Sequence, residues 1–206
     1  MTFNIRPALR KYFIMGSQNC DRDPADILKV AANAGITAFQ FREKGVGALS
    51  GQDKTALGKQ LRAICRQHQI PFIVNDDVDL VNELDADGIH VGQEDLSVRE
   101  LREVFPDKII GLSVSRNELA ESPLAFVDYV GAGDIFGTSS KAHDKSAVGL
   151  DWIVELRNQF PKLPIVGIGG INTDNAGSVI EAGADGVAVI SSIAKANNIK
   201  EAVDQL

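Results

Sequence analysis

Cysteine is almost absent: Cys20 and Cys65 are the only two in 206 residues. That is too few for a disulfide framework or a cysteine-based metal site, and a reducing compartment fits such a chain. Aromatics are also scarce, at 6% with one Trp and two Tyr. The apolar content is instead mostly Ala, Val, Ile and Leu beside 19 glycines, a balance typical of parallel-sheet α/β proteins and unlike an all-β sandwich. Positive charge is in deficit, with 21 Lys and Arg against 28 Asp and Glu and a net charge of -7. This excludes nonspecific binding to nucleic acid or an anionic membrane, which needs a basic surface to displace counterions. Any phosphate must be held locally. No run of 18 apolar residues occurs, and the opening MTFNIRPALRKYFIMGSQ has only a short apolar stretch broken by charge. It therefore lacks the core of a signal peptide, and the cytoplasm is the expected location.

What is present is ordinary globular composition, 44% hydrophobic and 24% charged with a mean hydropathy of -0.03, far from the disordered regime. Along the chain a short apolar run is followed by an amphipathic stretch, again and again. The runs lie at Lys11–Gly16, Ile36–Phe41, Ile70–Asn75, Asp87–Gly92, Lys108–Ser113, Val127–Gly133, Leu163–Gly169 and Asp185–Ser191. Between them, Ile27, Val30, Ala31 and Ala34 mark one helical face, and Leu57, Leu61, Ile64, Cys65 and His68 another. Asp23-Pro24 reads as an N-cap before a first-turn proline, and Ser97 with Glu100 as a capping box. Gly35 and Gly183 stand where helix C-termini need left-handed geometry. Eight strands alternating with helices leave about 26 residues per unit, near the lower limit of a (β/α)8 TIM barrel. The expected architecture is thus α/β, one barrel domain over residues 1–206. A doubly wound open sheet is the rival, and eight units are more than most such sheets use. Ala86-Asp87-Gly88-Ile89 recurs as Ala184-Asp185-Gly186-Val187, which fits either two half-barrels or a common helix-to-strand junction.

Barrel chemistry sits where strands end, so the residues that follow each run are the candidates. Strand starts carry little besides Asp and Lys. Period-2 alternation through Gln40-Phe41-Arg42-Glu43-Lys44 points Gln40, Arg42 and Lys44 to one side, an amide beside two cations suited to an anion. Asp76 and Asp95 end neighbouring strands, where two converging carboxylates repel unless a cation or a proton lies between them. Hard carboxylate oxygens plus phosphate suit Mg2+, so magnesium diphosphate is the natural guest, while Asp77 suits a helix cap. Gly167-Ile168-Gly169-Gly170 and Ile190-Ser191-Ser192 follow the last two strands, where barrels build phosphate cradles from backbone N–H groups. There is no GxxxxGK[ST] and no correctly placed GxGxxG. His68 and His90 read as packing residues, and His143 as a loop residue without a visible partner. Hydrolytic triads and zinc chemistry have no support.

These segments form a signature. QFREK (Gln40–Lys44), VNDD (Val74–Asp77), DGIHVGQED (Asp87–Asp95), GLSVS (Gly111–Ser115), a Thr/Ser-rich loop ending in Lys141, and VGIGGI with AGADGVAVIS together resemble the thiamine-phosphate synthase family. Six motifs occur in the family's order across almost the whole chain. The resemblance implies a TIM barrel joining 4-amino-2-methyl-5-(diphosphooxymethyl)pyrimidine to a thiazole phosphate, with release of diphosphate. It implies that Gln40, Phe41, Arg42, Glu43, Lys44, Asn75, Ser113 and Lys141 hold the pyrimidine diphosphate, with Arg42, Lys44 and Lys141 catalytic. Asp76 and Asp95 would carry Mg2+. Thr138, Ser139, Ser140, Gly170, Ile190 and Ser191 would receive the thiazole phosphate. The partners implied are these small molecules, and an oligomer of identical chains is compatible with the sequence. One segment departs from the pattern: Gly133-Asp134-Ile135-Phe136-Gly137-Thr138-Ser139-Ser140-Lys141 lacks the family's two prolines, which predicts a looser loop and weaker thiazole-phosphate binding. A thiazole tautomerase-like isomerase, a noncatalytic phosphate-metabolite binder and a Schiff-base aldolase using Lys44 or Lys141 are the alternatives.

Overall fold

Short runs of Val, Ile, Phe and Ala, buried on both faces, form stable strands only in a parallel sheet covered by helices. The computed structural model describes residues 4–137 and 147–206. In chain order these form α1 (Arg6–Leu9), β1 (Lys11–Met15), α2 (Pro24–Ala34), β2 (Ala38–Phe41), α3 (Gly51–Gln67), β3 (Phe72–Asn75), α4 (Val78–Glu83), β4 (Gly88–Val91), α5 (Val98–Val104) and β5 (Ile109–Val114). There follow β6 (Tyr129–Ala132), α6 (Asp151–Gln159), β7 (Ile165–Ile168), α7 (Ala176–Glu181), β8 (Gly186–Val189), α8 (Ser191–Ala194) and α9 (Ile199–Asp204). The strands pair in sequence order and β1 closes on β8, giving a parallel eight-stranded barrel. All eight apolar runs become strands. Among the described residues no helix is long and apolar enough to cross a membrane.

Local signals act as expected at several ends. The Asp23 carboxylate accepts from the Ala25 and Asp26 N–H groups at the start of α2, and Gly35 closes that helix at φ +96°. Ser97 accepts from Arg99 N–H ahead of α5, so it caps the helix as expected but without the Glu100 bond that the capping box called for. Three features differ from the sequence reading. The buried face of α2 runs through Ile27, Leu28, Ala31 and Ala32, leaving Val30 45% exposed. No α-helix joins β5 to β6; two three-residue 3-10 turns, Leu119–Glu121 and Leu124–Phe126, flank Pro123, which has no N–H and disfavours helical geometry in the residue before it. Finally, α1 packs Leu9 against the lumen residue Tyr12, so part of the opening segment belongs to the core.

Each odd–even strand pair is fastened at its N-terminal end. Asp87, before β4, accepts from Phe72 N–H on β3 at 2.8 Å and takes both terminal nitrogens of Arg62 on α3 at 2.9 Å. Asp128, before β6, accepts from Ile110 N–H at 2.8 Å and Arg102 at 2.7 Å. Asp185, before β8, accepts from Ile165 N–H and Arg157, both at 2.8 Å, and also from Arg6 of α1. Thr37 does the same before β2, its hydroxyl accepting from Lys11 N–H at 2.8 Å. The Ala-Asp-Gly repeat is therefore this helix-to-strand junction, with Asp128 as a further instance. Because each such Asp joins a strand N–H to a helix guanidinium, Asp185→Ala should lower unfolding free energy by about 2–4 kcal/mol. Urea denaturation checks this, and an unshifted midpoint would refute it.

Candidate active site

Alternation divides every strand between two environments. Phe13, Phe39, Phe41 and Phe72 face the helices, with the Phe13–Phe39 and Phe39–Phe72 ring centroids 5.7 Å apart. Tyr12, Ile14, Ala38, Ile73, Tyr129, Val166, Ala188 and Ile190 face the lumen. Where the strands end, the lumen opens into a cavity of about 280 Å³ lined by Gln40, Arg42, Lys44, Asn75, Asp76, His90, Asp95 and Ser113 on one side. Ile14, Val166, Ile168, Ala188 and Ile190 supply an apolar wall. A second hollow of about 130 Å³, formed by Gly169–Ser192 segments after β7 and β8, shares Ile168, Ala188 and Ile190 with it.

The cationic side is built from the end of β2 and its loop. Arg42 N–H donates to Met15 O at 2.9 Å, tying this segment to β1. Burial lowers the Arg42 pKa, and the nearby Asp76 carboxylate opposes that shift. Lys44 Nζ lies 2.5 Å from Asp76 Oδ2. Asp76 sits at φ +58° in a tight turn closed by Asp77 N–H to Asn75 O at 2.7 Å, a left-handed conformation that aspartate tolerates better than most residues. Asp77 turns away, accepting from Leu80 N–H as the N-cap of α4 and from Lys54 at 2.7 Å. Asp95 accepts from Gly92 N–H at 2.7 Å. Burial raises the Asp95 pKa, the Gly92 bond lowers it, and the charge of Asp76 and a hydrogen bond to it raise it further. Two carboxyl groups thus share one place, as converging like charges must.

Beneath this rim lies a chain of polar side chains. Gln40 Nε2 donates to Tyr12 OH at 2.8 Å, the Tyr12 and Tyr129 hydroxyls are 2.9 Å apart, Tyr129 OH is 3.0 Å from His90 Nδ1, and His90 Nε2 is 2.9 Å from Ser113 Oγ. Gly111 makes room for it: a Cβ there would stand 2.3 Å from Tyr129 Cζ and 2.5 Å from His90 Nδ1. Tyr12 and His90 line the cavity and Tyr129 joins them beneath it, none of which the sequence reading placed there. Their signal was the strand phase, since His90 alternates with Ile89 and Val91, and Tyr12 with Phe13.

Gln40, Arg42, Lys44, Asn75, Asp76, Asp95 and Ser113 all line the cavity. Phe41 and Glu43, expected with them, do not. Phe41 points into the helix-facing core. The Glu43 carboxylate is buried and accepts from Ser17 N–H at 2.8 Å, Ser17 Oγ–H at 2.5 Å and Leu49 N–H at 2.7 Å, so it joins the loops after β1 and β2. Both belong to the odd phase of the strand and its extension. His90, read as a packing residue, is corrected to a cavity residue. On the second hollow, Gly170 has φ +65° and a Cβ there would lie 2.2 Å from Gly137 O. Ile190 precedes α8, whose own hydrogen bonds begin at Ile193 N–H, leaving Ser191 and Ser192 in its first turn. Thr138, Ser139, Ser140 and Lys141, together with His143, lie outside the described residues. The preceding part of that loop is not loose: Ile135 N–H donates to Ile168 O at 2.9 Å and Phe136 N–H to Gly169 O at 3.0 Å, and Asp134 is buried. Because Glu43 satisfies two loop N–H groups as a carboxylate, Glu43→Gln should cost about 1–3 kcal/mol and speed hydrogen exchange at Ser17 and Leu49. Unchanged exchange at both amides would refute this role.

Comparison with known proteins places this arrangement. Residues 11–193 match the family model described as thiamine monophosphate synthase. A thiamine-phosphate synthase of Oceanobacillus iheyensis is 61% identical over 96% of this chain and 97% of its own length. One of Bacillus cereus is 53% identical over 96% and 89%. The thiamine phosphate pyrophosphorylase structure from Pyrococcus furiosus superposes with a TM-score of 0.85 at 34% identity, covering 98% of this chain and 96% of that one. A 3-hexulose-6-phosphate synthase at 13% identity and TM-score 0.65 shares the fold. The chain is an enzyme and belongs to the thiamine monophosphate synthase family.

Proposed function

We propose that this enzyme, working as one barrel domain over residues 1–206 in the cytoplasm, makes thiamine phosphate at the mouth of the barrel from the aminopyrimidine diphosphate and the thiazole phosphate. The observation that carries the reading is the division of one cavity: Arg42, Lys44 and the Asp76–Asp95 carboxyl pair stand on one side, and the apolar wall runs opposite into the Gly-rich hollow. Gln40, Asn75 and Ser113 receive the pyrimidine, and the diphosphate lies toward Arg42 and Lys44, with Lys141 as the further cation. Gly170, Ile190 and Ser191, with Thr138, Ser139 and Ser140, receive the thiazole phosphate through hydroxyl and backbone N–H groups.

Asp76 and Asp95 fit Mg2+. Both are hard oxygen donors, they already repel each other across a shared position, and Mg2+ characteristically takes one or two carboxylates plus substrate phosphates and water. When bound, the ion neutralises charge on the departing diphosphate. Arg42 and Lys44 supply the same stabilisation from preorganised positions. The bond from the pyrimidine methylene carbon to diphosphate breaks, the electron-rich aminopyrimidine stabilises the cation left behind, and the thiazole nitrogen attacks it. The protein's share is electrostatics and orientation, with no side chain acting as nucleophile.

The purified protein with Mg2+ and both substrates is expected to release thiamine phosphate and diphosphate in equal amounts. Tight binding of either substrate without product would leave the noncatalytic binder instead. Asp95→Asn should raise the Mg2+ concentration for half-maximal rate about tenfold or more, and unchanged metal dependence would refute the assignment. The same variant tests the electrostatics of the free protein. Asp95 is raised above its ordinary value of 3.8, so its charged form opposes folding as pH rises through the folded value, and the opposition vanishes below 3.8. Relative to the unsubstituted protein, Asp95→Asn should therefore be more stable at pH 7 than at pH 3. A pH-independent difference in denaturation midpoint would contradict this.

A further inference from the structure

The buried chain in the lumen has a direction. Burial holds both tyrosines as neutral phenols, Tyr12 and Tyr129 being raised far above the usual tyrosine value, so each has one proton to donate. Gln40 Nε2 donates to Tyr12, which keeps the Gln40 amide oxygen as the group left for a ligand. Tyr12, already accepting, passes its own proton to Tyr129. Tyr129 then donates to His90 Nδ1. With Nδ1 accepting, the imidazole carries its proton on Nε2 and donates to Ser113, whose hydroxyl proton is left for the cavity. The opposite direction would require Gln40 to turn its amide, both phenols to rotate and His90 to change tautomer together.

We infer that Tyr12, Tyr129 and His90 are positioning residues that couple Gln40 to Ser113, so that the site reads a pyrimidine with a donor at Gln40 and an acceptor at Ser113. The inference rests on the proposed function only for the identity of the ring. A 4-aminopyrimidine has that pattern, an exocyclic N–H donor and ring-nitrogen acceptors. Its 4-oxo counterpart reverses it, placing a carbonyl where the amino group was and an N–H on the adjacent ring nitrogen. An isolated glutamine would accommodate either by turning its amide. A glutamine tied through four hydrogen bonds to a serine across the lumen cannot turn alone. The chain thus confers discrimination that neither end residue has by itself.

The test compares inhibition constants for 4-amino-2-methyl-5-(phosphooxymethyl)pyrimidine and its 4-oxo counterpart, measured as competitors of the pyrimidine diphosphate. Neither probe carries the diphosphate leaving group, so the ratio reports recognition, and phosphate affinity cancels. The unsubstituted protein should favour the amino probe by about 100-fold or more. Tyr12→Phe and Tyr129→Phe should each reduce that preference about tenfold or more, and the double variant should do no worse than either single one, because one break already uncouples the ends. A merely structural role would weaken both probes alike. An unmoved ratio in a folded variant, or no preference in the unsubstituted protein, overturns the inference. The imidazole 15N shifts of His90 with the amino probe bound give a reading that needs no variant: protonated Nε2 supports the chain, protonated Nδ1 overturns it. Synthesis of thiamine phosphate is scored separately and decides the proposed function alone.

Discussion

Register is the constraint on which every other feature of this barrel rests. In a parallel strand successive side chains point to opposite faces, and a slip of one residue would exchange the lumen with the helix-facing core. Four strand pairs are locked where they begin, by Thr37, Asp87, Asp128 and Asp185 accepting from an N–H of the preceding strand. In three of them an arginine from the helix that precedes the pair completes the clasp, so helix placement and strand register are set by one group. The carboxylates are only partly exposed and each has a guanidinium and at least one backbone donor, the condition under which a shielded charge is tolerated. Fixing the starts fixes what stands at the ends, about four residues later, where the cavity opens.

The register also decides how few aromatics suffice. Phe13, Phe39, Phe41 and Phe72 form a tilted row under the helices, while the only two tyrosines of the chain meet in the lumen with ring centroids 6.0 Å apart. An all-aliphatic lumen would pack well and recognise nothing. Here the middle of the barrel holds Gln40, Tyr12, Tyr129 and His90, whose hydrogen bonds satisfy one another, so polar groups are carried into a place that excludes water without leaving them orphaned. The absence of a side chain at Gly111 is part of the same arrangement, since the ring of Tyr129 occupies the space a Cβ would need.

Much of this was legible in the sequence, for reasons that differ by element. The eight strands were readable because each is a short apolar run with a helical or turn boundary, and Gln40, Arg42 and Lys44 were placed on one side because alternation through a strand needs no tertiary information. The side chains of Phe41 and Glu43 point away from the cavity, as the alternation that groups the other three requires, although the motif is contiguous. Tyr12, His90 and Tyr129 were hidden because a polar residue inside an apolar strand looks the same whether it meets a partner across the lumen or merely packs, and only closure of the barrel brings β1, β4 and β6 within hydrogen-bond distance. The helix missing between β5 and β6 turned on Pro123, a single residue in a stretch otherwise able to form one. The packing of α1 against the lumen depended on contacts with residues more than 100 positions away, such as Asp185, which no local pattern announces.

The arrangement at the rim follows from the charge balance. A protein with a net charge of -7 that handles two phosphorylated substrates must present positive charge locally, yet a cluster of bare cations would hold diphosphate too firmly to release it. The described rim sets Lys44 against Asp76 and lets Asp76 press on Asp95, so part of its positive charge is already paired within the protein and the Asp95 carboxyl is held above its ordinary pKa. On the proposed function, Asp76 and Asp95 would hold Mg2+, which would relieve their repulsion and leave the charge of Lys44 available to the diphosphate. On that reading, the crowding of Asp95 by Asp76 in the free protein would make affinity for diphosphate depend on the ion, and would account for two acidic side chains standing beside Arg42 and Lys44.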